Sequence, residues 1–154
     1  MPQTPPQGYH SVTPYIIVDD PVAALDFYTR AFGAETVMKL TMPDGAIAHA
    51  EILIGDSHVM VSGEWPDRGA LGPKSLGGSP ISLLLYVADV DAQFAQAIAA
   101  GATEVSAVAD QFYGDRTGTL TDPFGHKWML ATHIEDVSEA EGQQRMDAMM
   151  AGGG

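Results

Sequence analysis

Short runs of hydrophobic residues in the first half of the chain predict a strand, a helix and three more strands. The β-branched and aromatic run over 12–18 predicts a strand, and Pro14 restricts it to an edge position or a strand start. Asp20 and Pro21 predict a helix start, and apolar residues at helical spacing then lead to a helix end at Gly33. Turn sequences separate the three strands that follow, over 35–42, 46–54 and 57–62.

The second half of the chain repeats this order. A buried strand is predicted over 81–87, and Asp89 and Gly101 mark the two ends of a second helix. Three strands follow, over 103–108, 117–121 and 126–132. The capping residues Asp20 and Asp89 lie 69 positions apart, as a duplicated module requires. The sequence therefore predicts an α+β fold of two tandem βαβββ modules.

These patterns divide the chain into five segments. They are an N-terminal tail (1–11), the first module (12–62), a Gly- and Pro-rich linker or flap (63–79), the second module (80–133) and a C-terminal segment (134–154). A capping-box sequence at Ser138 predicts a helix in the last segment, followed by a disordered glycine end at 152–154. This helix either frays at the surface or docks on a partner subunit, and both interpretations stay open.

The charge balance narrows the classes of partner. Twenty acidic against seven basic side chains give a net charge of −13, which disfavours nucleic acid and membrane surfaces and favours cationic ligands. Acidity that serves only solubility is the alternative. There is no cysteine, which excludes thiolate catalysis and disulfides and suits a reducing compartment. Because no signal peptide or membrane-spanning run is present either, we predict a cytoplasmic protein.

Several motifs in combination resemble those of the glyoxalase/bleomycin-resistance (vicinal-oxygen-chelate) superfamily. They are Asp20-Pro21 with Phe27-Tyr28, Phe32-Gly33-Ala34, Tyr86-Val87 with Asp89, and Asp122-Pro123-Phe124-Gly125-His126. The PhnB-like branch is resembled at Pro43-Asp44-Gly45 with His49, at Gly114-Asp115-Arg116, and at Thr132-His133-Ile134-Glu135-Asp136. The resemblance covers about residues 12–136. It implies antiparallel sheets curled around a shared cleft, usually in a homodimer.

The resemblance also implies where a metal would bind. Enzymes of the superfamily commonly hold a divalent metal with His and Glu from the first and last strands of each module. Those positions fall on Thr13, Met60, Ser82 and Met129. None is a good ligand for a hard divalent cation, which prefers carboxylate or imidazole. We therefore expect no metal cofactor.

Two residues of the strand over 46–54 are candidates for catalysis. If its small and apolar alternate residues pack on the helices, His49 and Glu51 point into the cleft. There they can share a proton and act as a base or a binding pair. The alternative is that both face solvent on an edge strand. The PhnB-like resemblance places a histidine at this position and favours the cleft.

Other residues are candidates for ligand binding. Tyr15, Met60, Tyr86 and Met129 are expected to face the cleft, and His58 and Lys127 lie on the same strand faces as the two methionines. In the loop at 112–116, Tyr113 can stack on a ligand and Arg116 can pair with its carboxylate. A surface bridge from Arg116 to an aspartate is the alternative. His126 is expected to be structural, and His10 and His133 receive no role.

Two functions follow from these candidates. Drug-resistance members of the superfamily bind organic molecules without metal, so we predict a protein that binds, and can sequester, a small organic ligand. The alternative is a metal-dependent lyase, isomerase or dioxygenase-like enzyme that uses His49 and Glu51, with the metal bound in a non-standard way. The acidic surface suits a cationic ligand in either case.

Overall fold

The computed structural model describes residues 1–153 and confirms the two βαβββ modules. The first module contains β1 (Tyr15–Ile17), α1 (Pro21–Phe32), β2 (Glu35–Thr41), β3 (Ile47–Ile54) and β4 (Ser57–Ser62). A short helix, α2 (Pro73–Leu76), lies in the linker. The second module contains β5 (Ser82–Tyr86), α3 (Val90–Ala100), β6 (Thr103–Asp110), β7 (Asp115–Thr121) and β8 (Lys127–His133). The last helix is α4 (Glu139–Gly152).

Each module forms its own four-stranded sheet. Sheet 1 has the order β1-β4-β3-β2 and sheet 2 has the order β5-β8-β7-β6. In both sheets the first strand pairs in parallel with the last, and the remaining pairs are antiparallel. β1 is shorter than predicted, because Pro14 precedes it and contributes only its carbonyl, to Met60 N. β6 and β7 are longer than predicted, since their ladder extends to the pair Asp110–Arg116.

The helix ends are as the sequence predicts. The carboxylates of Asp20 and Asp89 accept hydrogen bonds from the backbone N–H groups of Ala23 and Ala92, one at each helix start. Gly33 ends α1 with φ of 68°, a left-handed conformation that favours glycine. The two modules therefore begin and end their helices by the same local chemistry.

The two modules share one hydrophobic core, with α1 packed against α3. Each sheet turns one face towards these helices, and its other face, called here the open face, away from them. Open face 1 carries Tyr15, His49, Glu51, His58 and Met60; open face 2 carries Leu84, Tyr86, Asp115, Met129 and His133. The two sheets stay separate and do not close into one barrel.

The segments outside the modules are hydrogen-bonded to themselves and to the modules. In the linker, the Glu64 carboxylate accepts from Gly72 N and Ser75 Oγ, at 2.9 and 2.6 Å. Helix α4 buries none of its residues. Gly152 is its last residue and Gly153 its C-cap, while Gly154, the end of the predicted disordered stretch, lies outside the described residues.

Within residues 1–153, no helix is both long and apolar enough to cross a membrane.

Candidate functional site

A chain of hydrogen bonds runs across open face 1. Tyr15 Oη lies 2.9 Å from His49 Nδ1, and His49 Nε2 lies 3.4 Å from Glu51 Oε1. The second carboxylate oxygen, Oε2, accepts a hydrogen bond from the phenol of Tyr9. A neutral His49 that donates from Nε2 and accepts at Nδ1 satisfies every group in this chain. The face therefore presents a histidine held between a tyrosine and a carboxylate.

The alternation of β3 explains why His49 and Glu51 share this face. Ala50 and Ile52 are fully buried against the helices, so their neighbours in sequence point the other way. β3 lies between β4 and β2, which removes the alternative that these residues occupy an edge strand. Glu51 is only 6% exposed although its face is open, because the N-terminal tail covers it.

The N-terminal tail reaches open face 1 through Tyr9. The Tyr9 ring stacks on the imidazole of His58, with centroids 3.9 Å apart and planes 16° apart. His58 Nδ1 donates to the carbonyl of Gly8 at 3.1 Å. The hydrogen bond to Glu51 raises the pKa of Tyr9 to about 12, since loss of the proton would set two negative charges side by side. No pattern in the sequence indicated that the tail folds back onto the sheet.

A second polar cluster lies on open face 2. Asp115 accepts a hydrogen bond from Tyr86 Oη at 2.9 Å and contacts His133 Nδ1 at 2.7 Å. His133 Nε2 lies 2.7 Å from Asp136. The hydrogen bonds to Asp136 and Asp115 raise the pKa of His133, and the bond to Asp115 raises that of Tyr86. Both open faces thus hold a tyrosine, a histidine and a buried carboxylate.

Sequence reasoning missed Asp115 and His133 because the predicted strands β7 and β8 were too short to include them. The predicted β7 began at Thr117, so Asp115 was assigned to a loop, whereas the strand begins at Asp115 itself. Extending the alternation back by two residues places Asp115 on the same face as Thr117, opposite His133. The β8 prediction likewise ended one residue short of His133.

The two methionines lie at equivalent places on the two open faces. Met60 pairs with Tyr15 and Glu51 on the neighbouring strands, and Met129 pairs with Leu84 and Thr119. Each lies on the second strand of its sheet, with a paired strand on either side. His58 and Lys127 lie two residues before them on the same faces, as predicted from the alternation.

The positions implied for a metal do not fit a hard divalent cation. Thr13 donates its hydroxyl to the carbonyl of His10, and Ser82 is paired with Lys127 on β8. The other two positions offer only the thioethers of Met60 and Met129. Across residues 1–153, no group of three or more His, Asp or Glu side chains is arranged to hold a metal ion.

The predicted loop residues lie away from the centre of the open faces. Arg116 points to the helix side of sheet 2, where its guanidinium makes two hydrogen bonds to Asp91 and one to Asp110. This is the surface bridge named above as the alternative, so the structure does not place Arg116 to meet a ligand carboxylate. Tyr113 is exposed and packs edge-to-face on Phe112.

His126 connects the two modules. Its Nε2 donates to the carbonyl of Ile17 at 2.8 Å, and its backbone N–H donates to Asp122. The predicted structural role agrees with these contacts.

The buried carboxylates of the open faces have no cationic partner of fixed charge. Glu51 and Asp115, at 6% and 5% exposure, contact tyrosines and histidines. Within the described part of the chain, neither has a lysine or arginine nitrogen within 4.0 Å. Burying a carboxylate costs free energy unless a cation or several donors compensate it. On each open face a tyrosine and a histidine provide this compensation.

Known proteins share both the sequence and the fold. The chain is 40% identical to protein Rv0887c of Mycobacterium tuberculosis over 141 residues, 90% of this chain and 83% of that one. Among solved structures, TioX from Micromonospora sp. ML1 is 29% identical with a TM-score of 0.64, covering 80% of this chain and 98% of TioX. A PhnB protein from Bacillus cereus, 18% identical with a TM-score of 0.62 over 80% of this chain and 99% of its own, shares the fold.

The strongest assignment comes from a family model. Residues 8–130 match the model of the Glyoxalase/Bleomycin resistance protein/Dioxygenase superfamily. The match begins within the N-terminal tail and ends within β8, so it covers both modules and the linker between them. The resemblance of the sequence motifs to the superfamily is confirmed, and this chain belongs to the Glyoxalase/Bleomycin resistance protein/Dioxygenase superfamily.

Proposed function

We propose that the chain forms a cytoplasmic homodimer that binds a small, cationic, aromatic molecule without a metal. The ligand lies between open face 1 of one copy and open face 2 of the other, and a protein of this kind can sequester a drug. The observation that carries the proposal is the pair of open faces, each with an exposed tyrosine and a buried carboxylate. Tyr15 is 51% exposed and Tyr86 is 60% exposed.

A second copy would cover the open faces. Exposed apolar side chains on a sheet face favour a partner surface, because monomers rarely expose contiguous apolar patches. On open face 2, Leu84 and Tyr86 are exposed beside Met129. Docking open face 1 of the partner against them creates a concave site with mostly apolar walls and a few polar groups, as small-molecule sites generally have.

The charge of the ligand follows from the two carboxylates. Glu51 and Asp115 keep tyrosine and histidine partners only, and the chain carries a net charge of −13. A cationic aromatic ligand satisfies a carboxylate and stacks on the tyrosines at the same time. An anionic ligand of the same size meets like charge on both faces and is expected to be rejected.

Calorimetric titration with matched probes tests the ligand class. We expect the chain to bind proflavine, a cationic acridine, and to reject acridine-9-carboxylate. Glu51→Gln is expected to weaken proflavine binding about tenfold, since hydrogen bonds to charged groups contribute most to polar recognition. Glu104→Gln, the same exchange at an exposed position of β6, is the control and leaves the affinity unchanged. Equal binding of the two probes would contradict a cation-selective site.

Sedimentation equilibrium tests the assembly, and elemental analysis tests the metal. Leu84→Lys on open face 2 is expected to give a monomer, because it buries a charge at the dimer contact. Val22→Lys, at an exposed position of α1, leaves the dimer intact. We expect no stoichiometric metal in the purified protein. Near-stoichiometric zinc, nickel, manganese or iron would rule out the metal-free proposal.

A second candidate function is acid–base catalysis in a metal-dependent lyase, isomerase or dioxygenase-like enzyme. The chain Tyr15–His49–Glu51 favours it, since it holds a histidine beside a carboxylate on an open face. Thr13, Met60, Ser82 and Met129 offer no suitable donor set, so this enzyme would have to hold its metal through His49 and Glu51. A stoichiometric metal that is lost in His49→Ala would favour this function over ligand binding.

A further inference from the structure

We propose that Tyr9 acts as an internal ligand of open face 1. Its phenol occupies a subsite that accepts an aromatic ring carrying a hydrogen-bond donor. The tail carrying it must leave before such a ligand binds. The inference rests on the proposed ligand-binding function, and it adds the chemistry of one subsite and the group that competes for it.

The contacts of Tyr9 are those of a bound small molecule. Its ring stacks on the imidazole of His58 at 3.9 Å, and its hydroxyl donates to the carboxylate of Glu51. Stacking on an aromatic plane and one charge-assisted hydrogen bond are how protein sites commonly hold a phenol or an arylamine. The subsite is therefore formed by one imidazole and one buried carboxylate, and Met60 is paired with Glu51 on the neighbouring strand.

The tail belongs to neither module, and few contacts hold it to the sheet. Glu51 and His58 lie 42 and 50 positions away from their tail partners, and residues 1–14 contain no helix or strand. The tail residues on both sides of Tyr9 are exposed. Segments with few buried contacts open at low free-energy cost, so displacement of this tail leaves the two-module core intact.

Gly8 aims Tyr9 at the sheet. It has φ of 85°, and the turn around it places the N–H of Tyr9 2.9 Å from the carbonyl of Pro6. A residue with a Cβ is strained at this φ. Gly8→Ala therefore loosens the tail while it keeps the Tyr9 side chain, which gives a second way to open the subsite.

Replacement of Tyr9 by its own side-chain analogue tests the inference. The probe is p-cresol, which is the tyrosine side chain as a free molecule, and 4-methylanisole is the matched probe without a donor. NMR titration of Tyr9→Ala is expected to show p-cresol binding about tenfold tighter than in the unmodified protein, because the competing hydrogen bond to Glu51 is removed. The p-cresol affinity of Gly8→Ala is expected to lie between those of Tyr9→Ala and the unmodified protein. 4-Methylanisole is expected to bind Tyr9→Ala more weakly than p-cresol does.

Two controls separate this inference from its alternatives. Gln7→Ala, an exposed tail position, should leave p-cresol affinity unchanged. In the unmodified protein, p-cresol at saturation should move the Tyr9 ring resonances to the positions of an exposed tyrosine. Equal p-cresol affinity with and without Tyr9, or Tyr9 resonances that stay fixed at saturation, would overturn the internal-ligand role. Failure of p-cresol to bind Tyr9→Ala would also overturn the internal-ligand role. The proposed function is tested separately, by proflavine binding and by dimerisation.

Discussion

The phenol of Tyr28 donates a 2.5 Å hydrogen bond to the carboxylate of Asp122, 94 positions further along the chain. Both residues are buried, one on α1 and the other at the turn between β7 and β8. Asp122 also accepts from Trp128 Nε1 at 2.9 Å and from the backbone N–H groups of Phe124 and His126. One carboxylate thus closes a turn of the second module and fastens the first module to it.

Removal of the Tyr28 hydroxyl should therefore destabilise the whole chain. Tyr28→Phe keeps the ring in the core but leaves the buried carboxylate of Asp122 without one donor, which costs about 1–3 kcal/mol of unfolding free energy. Urea denaturation measures this loss. The exposed Tyr113→Phe is the matched control and should change stability by less than about 0.5 kcal/mol. A comparable loss in both variants would show that the link through Asp122 is not the cause.

The contact between α3 and sheet 2 leaves no room for a methyl group at Gly118. A Cβ built there would lie 2.8 Å from carbon atoms of both Phe94 and Val108. We expect Gly118→Ala to cost about 1–3 kcal/mol through overpacking. At Gly142 in α4 the nearest atom is 3.8 Å away, so Gly142→Ala should instead stabilise by about 0.5–1 kcal/mol through helix propensity. Thermal unfolding of the two variants should show shifts of opposite sign.

Local chemistry explains which parts of the fold the sequence predicts. Asp20 and Asp89 cap their helices, and the alternation of β3 assigns His49 and Glu51 to one face, because both effects act over a few residues. The duplication follows from the same signals, since they recur at a constant spacing. Superfamily membership then follows from motifs that lie at these helix ends and turns.

Contacts between distant residues explain what the sequence does not predict. Tyr9 reaches Glu51 across 42 positions, and no periodicity marks the tail that carries it. The packing of α1 against α3 is likewise permitted by the helix patterns but not specified by them. Arg116 pairs with Asp91 on a helix 25 positions earlier, a choice that only the folded chain reveals.

The cluster on open face 2 should make stability depend on pH. Contacts with Asp136 and Asp115 raise the folded-state pKa of His133 above its ordinary value of 6.5. A raised pKa means that the protonated form is favoured in the folded state, so this contribution is complete below about pH 6.5 and is lost as pH rises through the folded pKa. His133→Gln should therefore be less stable than the unmodified protein at pH 5.5 and close to it at high pH.

Urea denaturation at a series of pH values measures that difference. His10→Gln is the matched control, because His10 is exposed in the tail and its side chain makes no ion pair among the described residues. It should follow the unmodified protein at every pH. A gap between the His133→Gln and unmodified curves that stays constant from pH 5.5 to 9 would contradict the role given to protonated His133.

Asp115 and Asp136 are expected to raise the pKa of His133 by different amounts. Asp136 contacts Nε2 and Asp115 contacts Nδ1, both at 2.7 Å, but the Asp136 side chain is fully exposed whereas that of Asp115 is 7% exposed. Water screens an exposed pair much more than a buried one, so Asp115 should hold the proton more strongly. NMR titration of the His133 ring should show a larger fall in its pKa in Asp115→Asn than in Asp136→Asn. Asp115→Asn should also lower the raised pKa of Tyr86, which Asp136→Asn leaves unchanged, because Tyr86 donates to Asp115 alone. An equal fall in the His133 pKa in both variants would show that solvent reaches Asp115 as freely as Asp136.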